Sequence, residues 1–556
     1  MNRIILFILA IVISTFAFSQ TVGLLSFDEG AYEGYNLFFP HNQGNVYLTN
    51  NCGQIVKMWE DEVYKPGNSV YLSEDGLLYA CKGLGAASNE WIHAGGGGEK
   101  IEIRNMDDEI LWDWALNDSL HRLHHDISIM PNGNVLAIAW ERKLSEECTQ
   151  AGRPEDALPE GELWPEMVIE VRPIYPDSAE IVWEWHSWDH LVQDSSEDLD
   201  NYGDVTDPRL ININYTSDST ADWHHANAID YNANLDQIML SIPEFNELWV
   251  IDHSTSINEA AGSTGGLAGH GGDLLYRWGN PMTYGAGTVD DQKLFYQHDT
   301  HWIDQQLTSA SADYGKIMVF NNRFGADYST VEIVSPNWDG YKGGYVMSNG
   351  VFEPIDYDWH YQRPDSTAMH STGLSSAQRL ANGNTLICVG RYGYTFEIDE
   401  NEEIVWEYKT PLNQGLPVGQ GSELNINNNL TFQVNRYGID FPGFEGVDLS
   451  PIGYIEINPD TTFCPGIIDN IEEIELASIP VFPNPVEGNL FFSGIGLESQ
   501  NVTVELFSLT GQIIRSKQMT LQTLNSIELD DLNTGIYLVR ILANQKVIAL
   551  SKINKL

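Results

Sequence analysis

Six short segments of this chain share one pattern, in which alternating β-formers run into a tryptophan: "QIVKMWE" (Trp59), "EILWDWAL" (Trp112), "EIVWEWHSW" (Trp183), "LLYRWGNP" (Trp278), "IDYDWHY" (Trp359) and "EIVWEYKTP" (Trp406). Repetition on this scale constrains a fold more than any single motif, because a unit that cannot bury its apolar face alone must stack on its neighbours. Several units are preceded by a second alternating strand, as in "KIEIRNMDDEILW" and "TFEIDENEEIVW". A further element recurs between them, strand, Asn/Gly turn, strand, as in "HHDISIMPNGNVLAIA", "HHANAIDYNANLDQIMLSI" and "LSSAQRLANGNTLICVG". That is a hairpin signature. Two hairpins per unit, six units and hardly any amphipathic helix predict an all-β chain whose main body is a six-bladed β-propeller. The tryptophans recur at one place per unit and are expected to pack between blades rather than to stack on a ligand.

The two ends read differently. Residues 1–19 hold one arginine, the apolar run "IILFILAIVISTFAFS" and small residues Ala17 and Ser19 ahead of a cut before Gln20, the pattern of a secretory signal peptide. The run is too short for a comfortable span and no second one follows, so no integral membrane span is expected. The propeller is then assigned to 20–460, a linker to 461–479, and a small C-terminal β-sandwich to 480–556, where short alternating strands are separated by glycine turns.

Charge narrows the partners. With 79 acidic against 28 basic residues the formal charge is −51, which reverses the attraction that drives binding to nucleic acid or to an anionic membrane. An anionic substrate must therefore meet a local pocket of cations or hydrogen-bond donors, and histidine is one of few ways to build it. The five cysteines show no Cys-x-x-Cys spacing, so neither a zinc ribbon nor a redox dithiol is indicated. In an exported protein a disulfide is allowed, and Cys52 with Cys81 is the pair expected first.

In a propeller the first strand of each blade lines the central channel. His125 in "HHD", His225 in "HHAN" and His298 in "QHD" begin the corresponding strand of three successive units and are expected to meet around the axis. Each alone reads as a hydrogen-bonded structural residue, whereas three in register point to a shared centre. Two chemistries fit. Three imidazoles can hold zinc or copper with an open position; alternatively one attacks while the others steady an anion. Asn227, two residues past His225 and on the same strand face, adds an amide donor that a metal site would not require.

The segments "HHD", "WHHANAIDY", "QHD" followed by "VFNN", and "AQRLANGNTLI", with "VWEWHSWDHLVQD" and "LLYRWGNP", resemble in their order the bacterial arylsulfate sulfotransferases over most of residues 100–415. The resemblance implies a six-bladed propeller that moves a sulfuryl group from a phenolic sulfate ester to a phenol through a sulfohistidine, without a nucleotide sulfate donor, cofactor or metal. It would make His298 the nucleophile, with His225 and Asn227 on the sulfuryl oxygens or aiding proton transfer and His125 positioning or protonating. Arg379, read as the start of the blade-five inner strand, is the cation expected in the cradle. One departure stands out: where the family carries an arginine after the "HxN" strand, this chain reads "SIPEF", with Pro243 and Glu244, and Arg277 or Arg323 would have to substitute. A non-catalytic exported propeller that binds glycan or protein is the alternative, and a three-histidine metalloenzyme a third reading.

Near the chain end, "FPNP", "LTGQ" and "GIYLV" resemble the sorting domain of the type IX secretion system of Bacteroidetes. The resemblance implies passage through that machinery and release or attachment at the cell surface. The acidic loop "DSSEDLDNYGDVTD" spaces Asp198, Asp200 and Asp204 somewhat like a calcium loop but puts Tyr202 among them, and reads as a solvated loop. His190 lies between blades, with a structural role or a place over the channel both open.

Overall fold

Each of the six repeat tryptophans stands in the fourth strand, counted from the channel, of its own antiparallel sheet, and the six sheets form the blades of a propeller. The computed structural model describes residues 20–461, 464 and 481–556, apart from 85–88, 159, 216–219, 305–306, 308, 494–500, 509–512 and 544–545. The expected signal peptide, nearly all of the linker and the "LTGQ" stretch lie outside the described residues. Blades two to six open on the inner strands Lys65–Leu72, His121–Ile129, Ala228–Asn232, His298–Trp302 and Ser376–Arg379. Blade one takes its inner strand from the far end of the propeller: Thr431–Gly438 pairs with Gly34–Pro40, Gly34 opposite Gly438. Blade six in return gains Gly23–Phe27 as a fifth strand on Ile404–Lys409.

The sequence repeat has a mechanical reason. The indole Nε1–H of Trp59 donates to the Asn105 carbonyl at 2.8 Å, Trp112 to Ser178 at 2.7 Å, Trp278 to Pro354 at 2.7 Å and Trp406 to Asn51 at 2.7 Å, while Trp183 donates to Thr255 Oγ1 at 3.2 Å. Every acceptor lies between the outer strands, or at the start of the outermost one, in the next blade. A large ring buried with its one polar atom satisfied suits that position. Trp359, the sixth, instead has the Arg379 guanidinium of blade six over its ring at 5.0 Å.

Along the channel the inner strands are tied by carboxylates. Asp126 accepts from the Ile229 N–H at 3.0 Å, Asp230 from Trp302 at 2.7 Å and Asp299 from Ala377 at 2.8 Å. Burial pushes all three carboxyls upward, Asp126 to about 6.

A disulfide joins Cys52, in the outer turn of blade one, to Cys464. The expected Cys52–Cys81 pair is thus corrected. Cys81 lies within the second strand of blade two, buried, its Sγ 3.2 Å from Ser69 Oγ. A spacing of 29 along the chain carries no information about which blade faces a thiol.

The chain divides into two compact units between Cys464 and Pro465. The second pairs a three-stranded sheet (Val481–Phe482, Asn489–Ser493, Leu524–Glu528) with a four-stranded one (Asn501–Ser508, Ile513–Thr520, Gly535–Ala543, Lys546–Lys555). Leu490, Phe492 and Ile527 from one sheet and Val504, Leu506 and Val539 from the other share its core, as in a β-sandwich. Among the described residues no helix is long and apolar enough to cross a membrane.

Candidate functional site

Three consecutive inner strands bring His125, His225 and His298 to one end of the channel. The rings of His125 and His225 lie 4.7 Å apart, and His125 and His298 both stand 6.2 Å from the ring of Phe432, which belongs to the closing strand of blade one. Tyr296 bridges the remaining gap, 6.4 Å from His225 and 6.2 Å from His298. His125 and His225 have φ values of 52° and 54°, in the left-handed region that residues with a Cβ avoid. The inner strands of blades three and five break register at the histidines. Bulges and strained dihedrals of this kind re-aim side chains and gather at functional sites. Gly96 is required beside them: a Cβ there would stand 1.8 Å from His125 Cε1.

His298 is held in one tautomer. The Asn322 amide donates to the carbonyls of Ser371 at 2.9 Å and Leu374 at 2.8 Å, so its Oδ1 must be the atom that faces His298 Nδ1 at 2.8 Å. An acceptor there requires a hydrogen on Nδ1, which leaves the lone pair on Nε2. Burial pushes this imidazole down to about 3, against the opposing pull of the Asn322 bond. His298 is therefore neutral at ordinary pH, with its lone pair on Nε2.

His225 is its electrostatic opposite. Burial pulls it down, but the Asp222 carboxylate, 2.5 Å from Nδ1, more than offsets that and holds the ring up to about 8, with Glu244 adding to the effect. His125 is driven low by burial and by the neighbouring His225, His124 and His298. Its Nδ1 lies 2.8 Å from His124 Nδ1, and His124 Nε2 lies 2.8 Å from Glu166 Oε2.

Arg323, one of the two possible substitute cations, acts on His298, and a second cation, Arg391, comes from a position that the sequence reading did not single out. Arg391 follows the second strand of blade six by two residues, and Arg323 follows that of blade five by two. A carbon added to Gly373 would stand 3.4 Å from Arg391 Nη2 and 3.8 Å from His298 Cε1, so both groups converge on that glycine. Arg323 lies over Tyr296 at 3.5 Å. The matching position of blade four is Glu244, which interacts with His225, Tyr296 and Arg323 and is pushed upward by burial. His41, buried and lowered to about 4 chiefly by burial, adds a fourth imidazole that feels Arg391. The shared signal, a charged residue two places past the second strand, is present in "SIPEF", "NNRF" and "VGRY".

Three expected placements change, and one of the two readings open for His190 is met. Arg379 ends its inner strand instead of opening it: Asp299 bonds level with Ala377, so Arg379 lies further along the channel, away from His298. It pairs with Asp313 at 3.1 Å and lines a separate cavity of about 560 Å³ whose walls include none of the three histidines. Asn227 is fully buried and donates to the Gln297 carbonyl at 2.8 Å, positioning the strand that carries His298. Arg277 is buried against Glu247 at 2.6 Å. His190 is tied to Asp273 at 2.8 Å and to the Ala260 carbonyl at 2.9 Å, a structural role.

Among the described residues no group of three histidine, cysteine or acidic side chains is arranged to hold a metal ion. The arrangement instead offers a neutral nucleophilic imidazole, a cationic imidazole and guanidinium groups around it, which suits a group whose negative charge sits on peripheral oxygens.

Residues 35–414 match the family described as "Arylsulfotransferase (ASST)", and residues 480–554 match "Secretion system C-terminal sorting domain". No curated protein matches the chain. Among solved structures, it is similar to a protein of unknown function from Bacteroides caccae, at 12% identity and a TM-score of 0.39, over 73% of this chain and 99% of that one. A virginiamycin B lyase from Staphylococcus aureus aligns at 10% identity and a TM-score of 0.31, over 71% and 90%.

Proposed function

This chain belongs to the arylsulfotransferase family and carries a type IX secretion sorting domain that makes it a secreted or cell-surface protein, and on that premise we propose that it moves a sulfuryl group from a phenolic sulfate ester to a phenolic acceptor through a sulfohistidine on His298. The observation that carries the reading is the Asn322–His298 pair, which fixes a lone pair on Nε2 of a buried neutral ring. Nε2 attacks sulfur, and the S–O bond breaks toward the phenolate. His225, cationic beside Asp222, and Arg391 steady the three sulfuryl oxygens as charge shifts. Arg323 adds positive charge at the rim. His125 carries the proton to and from the phenol oxygen. A phenol then attacks the sulfohistidine and restores the free ring.

The test is turnover of 4-nitrophenyl sulfate with phenol. His298→Ala should lose activity by on the order of 10³-fold or more, and a brief pulse of sulfur-labelled donor should mark one histidine in the parent protein and none in the variant. Full activity in His298→Ala rejects the proposal. The departure at Pro243 and Glu244, where the family has an arginine, is the observation on the side of a non-catalytic propeller. Saturable glycan binding with no histidine label would establish that reading.

A further inference from the structure

A buried chain of three titratable side chains ends at the site, and the proposed reaction as written leaves two of them without a task. Glu166 opens the third strand of blade three and is fully buried. Its Oε1 accepts from the Ala226 N–H at 2.7 Å, and its Oε2 meets His124 Nε2 at 2.8 Å. His124 lies stacked on Trp140 at 3.7 Å between ring centroids, and its Nδ1 meets Nδ1 of His125 at 2.8 Å. Each bond joins nitrogens or oxygens of which one must donate and the other accept, so the protonation of one end dictates that of the other.

We infer that Glu166 and His124 form a proton relay that switches His125 Nε2 between donor and acceptor, Glu166 being the store for the proton that each phenol takes or gives. The inference rests on the sulfuryl-transfer reading above. With Glu166 protonated, its O–H donates to His124 Nε2, His124 Nδ1–H donates to His125 Nδ1, and His125 carries its hydrogen on Nε2. As the S–O bond breaks, its electron pair goes to the phenolate oxygen, which takes the Nε2 hydrogen of His125. His125 takes the Nδ1 hydrogen of His124, and His124 takes that of Glu166. The carboxylate that results accepts from His124 Nε2–H, and His125 Nε2 now bears a lone pair. In the second half the acceptor phenol gives its proton to that lone pair, and every hydrogen returns as the O–S bond forms and the N–S bond breaks. No charge is left on either imidazole of the relay. Burial favours the neutral form of all three groups at rest, raising Glu166 and lowering His124 and His125. The other charged groups facing His124 are Asp222, His225, Arg122 and Glu99.

Glu166 and His124 are positioning residues, and Glu166→Gln separates this role from a structural one. The Ala226 N–H holds the amide oxygen in place, so the NH₂ faces His124 Nε2 and donates as the acid does. It cannot surrender the hydrogen. A phenolate that is stable without a proton needs no relay, and one that is basic does. The experiment compares 4-nitrophenyl sulfate with phenyl sulfate as donors, and 4-nitrophenol with phenol as acceptors. Glu166→Gln is expected to change transfer from and to nitrophenol by less than about threefold, and to lower transfer from and to phenol by about 10²-fold. Equal losses for both, or none, overturn the relay. His124→Phe, which keeps a ring on Trp140, should repeat the same split. If the parent protein turns over no aryl sulfate, the functional reading fails on its own, and infrared spectra of the resting protein still decide the relay. A carboxylic-acid stretch present in the parent and lost in Glu166→Gln is the expected result, and its absence from the parent overturns the store.

Discussion

Asn322 spends both of its amide hydrogens on the carbonyls of Ser371 and Leu374 and therefore meets His298 Nδ1, 2.8 Å away, only as an acceptor. One hydrogen-bond pattern thus decides which nitrogen of the proposed nucleophile is free. Asn322→Asp removes both donors and sets a carboxylate against the ring, which favours the imidazolium. Activity toward aryl sulfates should fall by on the order of 10²-fold, with the ¹⁵N shifts of His298 moving to those of a charged ring. A fall in activity with an unchanged neutral tautomer would disconnect the two.

Arg391, half-buried, converges with His298 on Gly373. Arg391→Met should lower kcat for aryl sulfates by about 10²-fold, the usual cost of one preorganised donor, and Arg391→Lys should recover part of it. Arg379→Met, by contrast, should leave kcat within about threefold, because its guanidinium is engaged with Asp313 and Trp359 further along the channel.

Glu244 lies beside His225 and Arg323 in a pocket proposed to take an anion. Removing its charge with Glu244→Gln should lower KM for aryl sulfates by a few-fold, since a like charge near the site opposes binding through a moderately screened environment. The gain should shrink at high salt. A raised KM would mean that Glu244 holds Arg323 in place rather than opposing the substrate.

The two unlike imidazoles set the pH profile. His225, held at about 8, loses its proton above that value, so kcat/KM should decline on the alkaline side from about pH 8, and Asp222→Asn should move that limb to lower pH. His298, lowered to about 3, stays neutral through mild acid, so it imposes no acid limb near pH 6. Stability carries the opposite signs. Between about 3 and the ordinary histidine value near 6.5 the unfolded chain binds a proton at His298 that the folded one refuses, so this contribution to stability is lost as pH falls. The contribution of His225 is full below about 6.5 and is lost as pH rises through 8. Thermal melts across this range check both.

The Cys52–Cys464 bond closes 412 residues of sequence and ties the end of the first unit to blade one. Cys52→Ser should reduce stability by about 2–4 kcal/mol, read as a lower denaturation midpoint, and reductant should bring the parent to the same value. The three remaining cysteines are buried and should leave the melt unchanged on alkylation of the native protein.

What could be read from the chain followed from periodicity. The tryptophans recur because each latches onto the following blade, and that constraint repeats six times, so the blade count was visible without any structure. His125, His225 and His298 were visible for the same reason, since each lies in or just ahead of the inner strand of its blade. Arg379 was misplaced because a four-residue strand looks alike from either end, and only the Asp299–Ala377 bond shows which rung it occupies. Arg323 was legible only as one of two substitute cations, and Arg391 was not, because both lie past their strands, where apolar alternation stops and the pattern gives no register. Glu166 could not be seen at all, being 42 residues from His124 and joined to it only through the sheet. Asn227 was legible as a neighbour of the site but not as a backbone brace.

Phe432 stands against both His125 and His298, and it arrives on Thr431–Gly438, the strand that seals blade one. A chain threaded outward from its N-terminus therefore presents the three histidines long before their common wall exists. The His298 ring lacks that wall until Thr431–Gly438 has paired with Gly34–Pro40, and a product truncated ahead of residue 431 leaves blade one without its inner strand. Completion of the pocket is thus written into chain order: its common wall can form only after Thr431–Gly438 has paired with the first blade.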